Sequence, residues 1–137
     1  MTPTIEGNKL IAEFMGFFPR TDLHTEGALF MQAPISKGAT HSSCYIVDKS
    51  LDKHDEFLEL EYHTSWDWLM PVVEKIRNDH FIVIEIYGDF SVAEIIKDRD
   101  LPAPERTIYS EHKDSITAVY GAVIQFITWY KQQNPKQ

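Results

Sequence analysis

Six histidines, one cysteine and 21 Asp and Glu residues are the side chains in this 137-residue chain that could carry chemistry. The histidines are His24, His41, His54, His63, His80 and His112. No two of them stand three or four residues apart, as a helical pair of metal ligands requires. His54 lies among Asp52, Asp55 and Glu56, where a loose divalent-ion site is conceivable. A run of this composition reads more simply as a solvated acidic loop. A nucleophile reading takes Ser65 or Cys44 with His63 as base. Ser65 lacks the Gly-x-Ser-x-Gly elbow that exposes a serine on a sharp turn. Cys44 follows Ser42-Ser43 in a β-prone run, where a lone cysteine behaves as a small hydrophobe. Asp98/Asp100 and Glu59/Glu61 could share acid–base work, but nothing in the pattern places either pair in a cleft. The glycines are scattered and form no phosphate cradle. The sequence therefore gives no catalytic residue, no metal site and no cofactor.

Charge and aromatic side chains fit binding, although acidity reads more simply as what keeps a chain in solution. The formal net charge is −8. That disfavours unaided nucleic-acid binding, which needs clustered Lys and Arg facing phosphates, and it suits a basic partner. Between Asp48 and Glu61 the carboxylates Asp48, Asp52, Asp55, Glu56, Glu59 and Glu61 outnumber Lys49 and Lys53. A second group from Asp98 to Asp114 is diluted by Arg99, Arg106 and Lys113. Trp66 and Trp68 begin a helical pattern pointing in different directions, so one of them can be a contact for a partner. These eight residues, the six carboxylates and the two tryptophans, are the candidate partner-binding set.

Periodicity supplies the scaffold for these side chains. Leu10, Ile11, Phe14 and Met15 share one face of a short helix over Asn8–Met15, which Gly16 ends and Pro19 separates from the next segment. Ala28–Ala33 and Ser43–Val47 read as strands joined through Pro34 and Gly38. Lys49–Glu61 reads as a solvated loop. Thr64-x-x-Asp67 matches a capping box, but a cap at Thr64 would leave Pro71 inside the helix. With Asp67 as the cap, Pro71 falls at the edge of the first turn, where the clash is smaller, so a tight turn at 64–66 and a helix from about Asp67 to Asn78 are expected. Phe81–Tyr87 and Phe90–Lys97 flank Gly88-Asp89, a hairpin with a type II′ turn. Asp98–Arg106, with Pro102 and Pro104, is a loop. The strongest element is last: Ile116, Val119, Tyr120, Val123, Ile124, Ile127 and Tyr130 form a helical stripe. Asp114 or Ser115 caps it, Phe126 and Trp129 widen it, and Asn134-Pro135 ends it. Such a wide face suits burial on two sides or a homodimer. The expected fold is α+β, a single domain over 1–137 with a small antiparallel sheet and helices packed on it.

One cysteine cannot form an internal disulfide, and Met1–Phe18 lacks the basic start and apolar run of a signal peptide. No stretch is long enough to span a bilayer. A cytoplasmic location is the expectation by exclusion.

Three segments together carry a family resemblance: Asn8–Gly16, Tyr62–Ile76 with its Asp67-Trp68-Leu69-Met70-Pro71 block, and Ser115–Tyr130. They resemble small proteins of phages and prophages of Bacteroides-like bacteria, a group similar to the phage ABA sandwich domain. The resemblance covers somewhat over a third of the chain and omits the stretch from Pro19 to Leu60. It implies a three-layer sandwich and a phage accessory role, and it transfers no catalytic residue. The expected function is non-catalytic binding of a host protein, inhibiting a host defence system through an acidic surface. A nucleotide or small-ligand binder or enzyme, and a structural homo-oligomer subunit, are the alternatives.

Overall fold

The computed structural model describes residues 3–20, 28–52 and 57–133. Among these the elements run α1 (Pro3–Phe14), β1 (Phe18–Arg20), β2 (Phe30–Gln32), β3 (Cys44–Ile46), a 3-10 turn (Lys49–Leu51), β4 (Leu58–Glu59), α2 (Trp66–Arg77), β5 (Phe81–Ile86), β6 (Ser91–Ile96), α3 (Ala103–Arg106), β7 (Thr107–His112) and α4 (Ser115–Gln133). The fold is α+β. It holds two sheets rather than one, ordered β1-β2-β3-β4 and β5-β6-β7. The chain divides into two compact units, Met1–Glu61 and Tyr62–Gln137. None of the described helices is long and apolar enough to cross a membrane.

In the first unit, α1 begins five residues earlier than periodicity alone places it. Pro3 stands at its first position, where the missing amide costs nothing. Its end is as the glycine implies: Gly16 has φ +91°, the Phe17 amide donates to the Ala12 carbonyl at 2.9 Å and the Gly16 amide to Glu13 at 3.1 Å, a Schellman closure. The buried Asn8 donates from Nδ2 to the Leu60 carbonyl at 3.2 Å and ties the helix to the chain after β4. β2 and β3 pair antiparallel within the two segments read as strands. Pro19 breaks the helix but not the pairing, because it lies in the edge strand β1, opposite Met31. The expected loop over Lys49–Glu61 is corrected: it contains a 3-10 turn, β4 parallel to β3, and the fully buried Leu60.

The second unit is a three-stranded antiparallel meander with α4 on β6 and β7 and α2 beside β5 and α4. β7 is an element that periodicity does not reveal, and α3 shortens the expected Pro-rich loop. The hairpin holds, with Ile86 opposite Ser91. Its turn is not type II′, because only Gly16 and Gly38 among the described glycines take positive φ. α2 also departs from expectation. Ser65 is its N-cap and Pro71 lies inside it. The carbonyl deprived of a donor belongs to Asp67, and both residues are exposed, so water can satisfy it.

α4 buries Ala118, Val119, Ala122, Val123, Phe126 and Ile127, with Ile116, Tyr120, Ile124 and Tyr130 half-buried. The buried stripe is thus rotated toward small residues, and smallness sets the helix–sheet distance. A Cβ on Gly121 would stand 2.6 Å from Ser110 Oγ and 3.6 Å from its Cβ. The expected helix end at Asn134-Pro135 lies outside the described residues.

A double-mutant cycle measures this approach. Gly121→Ala removes a helix-interior glycine, worth about 1 kcal/mol, but its methyl meets the Ser110 hydroxyl. In a Ser110→Ala background the gain should appear in full in urea melts. In the parent background it should be largely cancelled. Equal effects in both backgrounds would refute the close approach.

Candidate functional site

The carboxylates between Asp48 and Glu61 do not share one role. Asp48 caps the 3-10 turn, accepting from the Ser50 amide at 3.1 Å and hydroxyl at 2.7 Å. Asp52 has a side chain only 5% exposed; it accepts from the Phe57 amide and from Lys49 Nζ, both at 3.0 Å. Glu59 accepts from the Lys49 amide at 2.9 Å, and Lys49 Nζ also donates to the Phe57 carbonyl. These three side chains therefore close a polar knot around Lys49, which satisfies backbone groups that a loop alone would leave to water. Asp55 and Glu56 lie outside the described residues. Glu61 is exposed.

Trp66 is 38% exposed on α2. Trp68 is half-buried, its ring edge-on to buried Tyr62 at 5.2 Å. The two tryptophans do face differently, as helical geometry requires.

The groups weighed for catalysis are placed in structural settings. Ser42 donates to the Ala33 carbonyl and accepts from Gln32 Nε2 at 2.8 Å. Cys44 is a half-buried thiol in β3. His41 stands three residues before it, on the exposed chain leading into the strand. His63 rests its ring against Tyr120 at 6.3 Å, and His80 against Phe126 at 4.7 Å. The His112 ring accepts from the Asp114 amide at 3.0 Å. Asp98 accepts from the Asp100 amide at 2.9 Å, so this pair forms a turn. Among the described residues no group of three or more His, Cys, Asp or Glu could hold a metal ion. His24 and His54 lie outside them.

Two surface features of the second unit escape sequence reasoning. The first is the sheet face turned away from α4. Ser110 lies against α4, so its register partner Ala93 and the partner of that residue, Ile84, share the helix-facing side. Alternation then sends Phe81, Val83, Glu85 and Tyr87 to the other side, with Val92, Glu94, Tyr109 and Glu111. Glu85, Val92 and Glu111 form one row, and Val83, Glu94 and Tyr109 the next. Three glutamates therefore meet on a face where Tyr87 and Tyr109 are half exposed. Tyr87 donates to Glu85, and that bond, then the charge of Glu85, raises its hydroxyl pKa. The Tyr109 pKa is raised by partial desolvation, then by Glu111, with Glu94 and Glu85 adding to it. The register that gathers these groups needs β7, which is why the sequence hides it.

The second feature is a cleft of about 400 Å³ at the start of β5, lined by Arg77, His80, Phe81, Lys97, Asp98 and Arg99 among others. The Arg99 guanidinium lies 5.9 Å from the Phe81 ring, and Lys97 Nζ lies 5.7 Å from the Trp129 ring. Asp79 also lines it, so three cations stand beside two carboxylates in a chain of net charge −8.

Two measurements check the roles assigned to Asp52 and Tyr120. Asp52→Ala leaves the part-buried Phe57 amide without its acceptor and removes one partner of Lys49, so it should cost about 1–3 kcal/mol; unchanged stability in urea would refute the knot. Burial pushes the Tyr120 hydroxyl up to about 12. Its folded pKa exceeds the unfolded one near 10, so its contribution is complete below pH 10 and lost as pH rises toward 12. Tyr120→Phe should flatten the fall of stability with pH over that window, and a slope matching the parent would contradict the burial.

Comparison with known proteins gives no match to a family model, to a curated protein or to a solved structure.

Proposed function

We propose that this chain is a non-catalytic phage or prophage accessory protein that binds a basic host protein on the outer face of its β5–β6–β7 sheet. The observation that carries the reading is the gathering of Glu85, Glu94 and Glu111 around exposed Tyr87, Tyr109 and Val83. Aromatic side chains supply contact area at low entropic cost, and clustered carboxylates steer a cationic surface toward it. The phage setting rests on the resemblance of the three helical segments. Inhibition of a host defence system is the role that setting favours. Asp48, Asp52 and Glu59, in the first unit, are less available to any partner than their sequence clustering suggests, because hydrogen bonds already hold them. Glu61 and Trp66 remain exposed as further contacts. The protein acts in the host cytoplasm in this reading.

A small-ligand reading is favoured by one observation, the cleft with Arg77, Lys97 and Arg99, whose charges would select an anion. A rise in melting temperature with small dianions would support it, and Arg99→Ala should abolish that rise.

For the leading reading, the partner captured from host lysate should have a basic surface and associate more slowly as salt increases. Glu94→Lys with Glu111→Lys should weaken its binding by about tenfold or more, with the fold unchanged by circular dichroism. A partner held equally well by the double variant, or at a rate indifferent to salt, would leave the acidic face without a role in binding.

A further inference from the structure

β5 is a free edge. Among the described residues no strand pairs with its outer side. Five of its six residues are apolar, and Phe81, Val83, Ile84 and Ile86 are 55%, 36%, 36% and 71% exposed. Proteins ordinarily blunt such an edge with proline, lysine or a bulge. Glu85 is the single charge here, and the register to β6 runs unbroken from Phe81 to Ile86.

The phase of the edge is fixed by the hairpin. The Tyr87 amide donates to the Phe90 carbonyl at 2.8 Å. In an antiparallel ladder the bonded residues alternate, so Phe81, Val83 and Glu85 aim their backbone groups at β6. Ile82, Ile84 and Ile86 aim theirs outward. The far side of β6 obeys the same phase: the Lys97 amide donates to Arg106 at 2.9 Å, toward β7. The edge thus offers the amides and carbonyls of three isoleucines in a row, and what saturates them is another extended strand.

We propose that this strand is β5 of a second copy, paired antiparallel about a two-fold axis at Val83, so that two three-stranded sheets become one of six strands. Self-pairing is isologous, and the register follows from charge and parity. With the axis at Val83, Ile82 faces Ile84 of the second copy as a hydrogen-bonded pair. On the outer face Phe81 then faces Glu85 of the second copy. Arg99 lies over Phe81, so each copy supplies the cation for the other's carboxylate, twice by symmetry. An axis at Ile84 keeps the parity but sets Glu85 opposite Val83, and an axis at Glu85 opposes two carboxylates. Neither uses Arg99. The inference goes beyond the binding reading: the two share Glu85, but Glu94 and Glu111 lie on β6 and β7, away from the seam.

Sedimentation velocity on the full chain tests this, from about 1 to about 200 µM, because a short seam gives modest affinity. The parent should pass from monomer to dimer within the range. Glu85→Arg and Arg99→Glu should each raise the dimer dissociation constant by about tenfold or more. Combined, the two reversals should restore it to near the parent value. Ile84→Pro removes an outward amide and no bond to β6, so it should give a folded monomer. The charge swap stands as the test whether or not that variant folds. Glu94→Lys with Glu111→Lys should leave the dimer intact, which separates this result from the partner reading. A parent monomeric throughout, including one whose edge pairs only with a different protein, would overturn the proposal. So would a dimer indifferent to the reversals or not rescued by their combination.

Discussion

A three-stranded sheet has two faces, and one long helix is enough to cover only one of them. In the second unit this constraint decides which side chains are covered. α4 reaches β6 and β7 closely because Ala118, Gly121 and Ala122 present almost no side chain there, and the Gly121 position leaves room only for the Ser110 hydroxyl. Close approach lets Val119, Val123, Phe126 and Ile127 bury fully. Burial of each large apolar side chain is worth roughly 1.5–3 kcal/mol. The same geometry commits Ile84, Ala93, Ile95, Ile108 and Ser110 to the covered side. Everything of opposite parity, including three glutamates and two tyrosines, is left on the other. The acidic aromatic face is thus a consequence of where the helix stability comes from.

The first unit shows a different use of acidic residues. There the backbone makes irregular connections around short strands, and amides left outside the ladders, exposed at Ser50 and part-buried at Lys49 and Phe57, need acceptors. Asp48, Asp52 and Glu59 supply them, and Lys49 balances their charge while reaching the Phe57 carbonyl. In composition this resembles a solvated loop, since both settings are rich in Asp, Glu and Lys. What distinguishes them is burial of Asp52 and Leu60, a property of the folded chain that local charge patterning does not record. A carboxylate counted in the net charge can be an internal acceptor or an exposed one. The two classes contribute differently to any partner.

Legibility in the sequence divides along the same line. α4 is readable because Val119, Val123 and Ile127 keep a strict helical period, and Gly16 is readable because its position needs positive φ. β2, β3 and the β5–β6 hairpin are readable from runs of β-branched and aromatic residues. β7 is not: in Thr107–His112 only Ile108 is both apolar and inward, the neighbouring inward position is Ser110, and Tyr109 faces out. A strand that meets a glycine-bearing helix has no need of a second large inward residue. Pro71 misleads for a related reason. A proline inside a helix loses one hydrogen bond and crowds the carbonyl four residues back; here Asp67 and Pro71 lie on the wet side, where water can satisfy that carbonyl. The acidic sheet face is not legible: its glutamates are 26 residues apart in the chain at their extremes, from Glu85 to Glu111, and only register unites them.

The edge of β5 and the face it borders are linked by alternation. Along one strand, odd residues carry side chains to the acidic face while their backbone groups bond β6; even residues carry side chains toward the helices while their backbone groups point off the edge. A change at Glu85 therefore alters the face, and through Arg99 of a second copy the charge pairing at the seam, but leaves the backbone ladder intact; a proline at Ile84 alters the ladder and leaves the face intact. Strand chemistry gives this sheet two separable surfaces from six consecutive residues. It also explains the composition of β5, in which the edge-directed positions are isoleucine throughout and the only charge sits at an odd position.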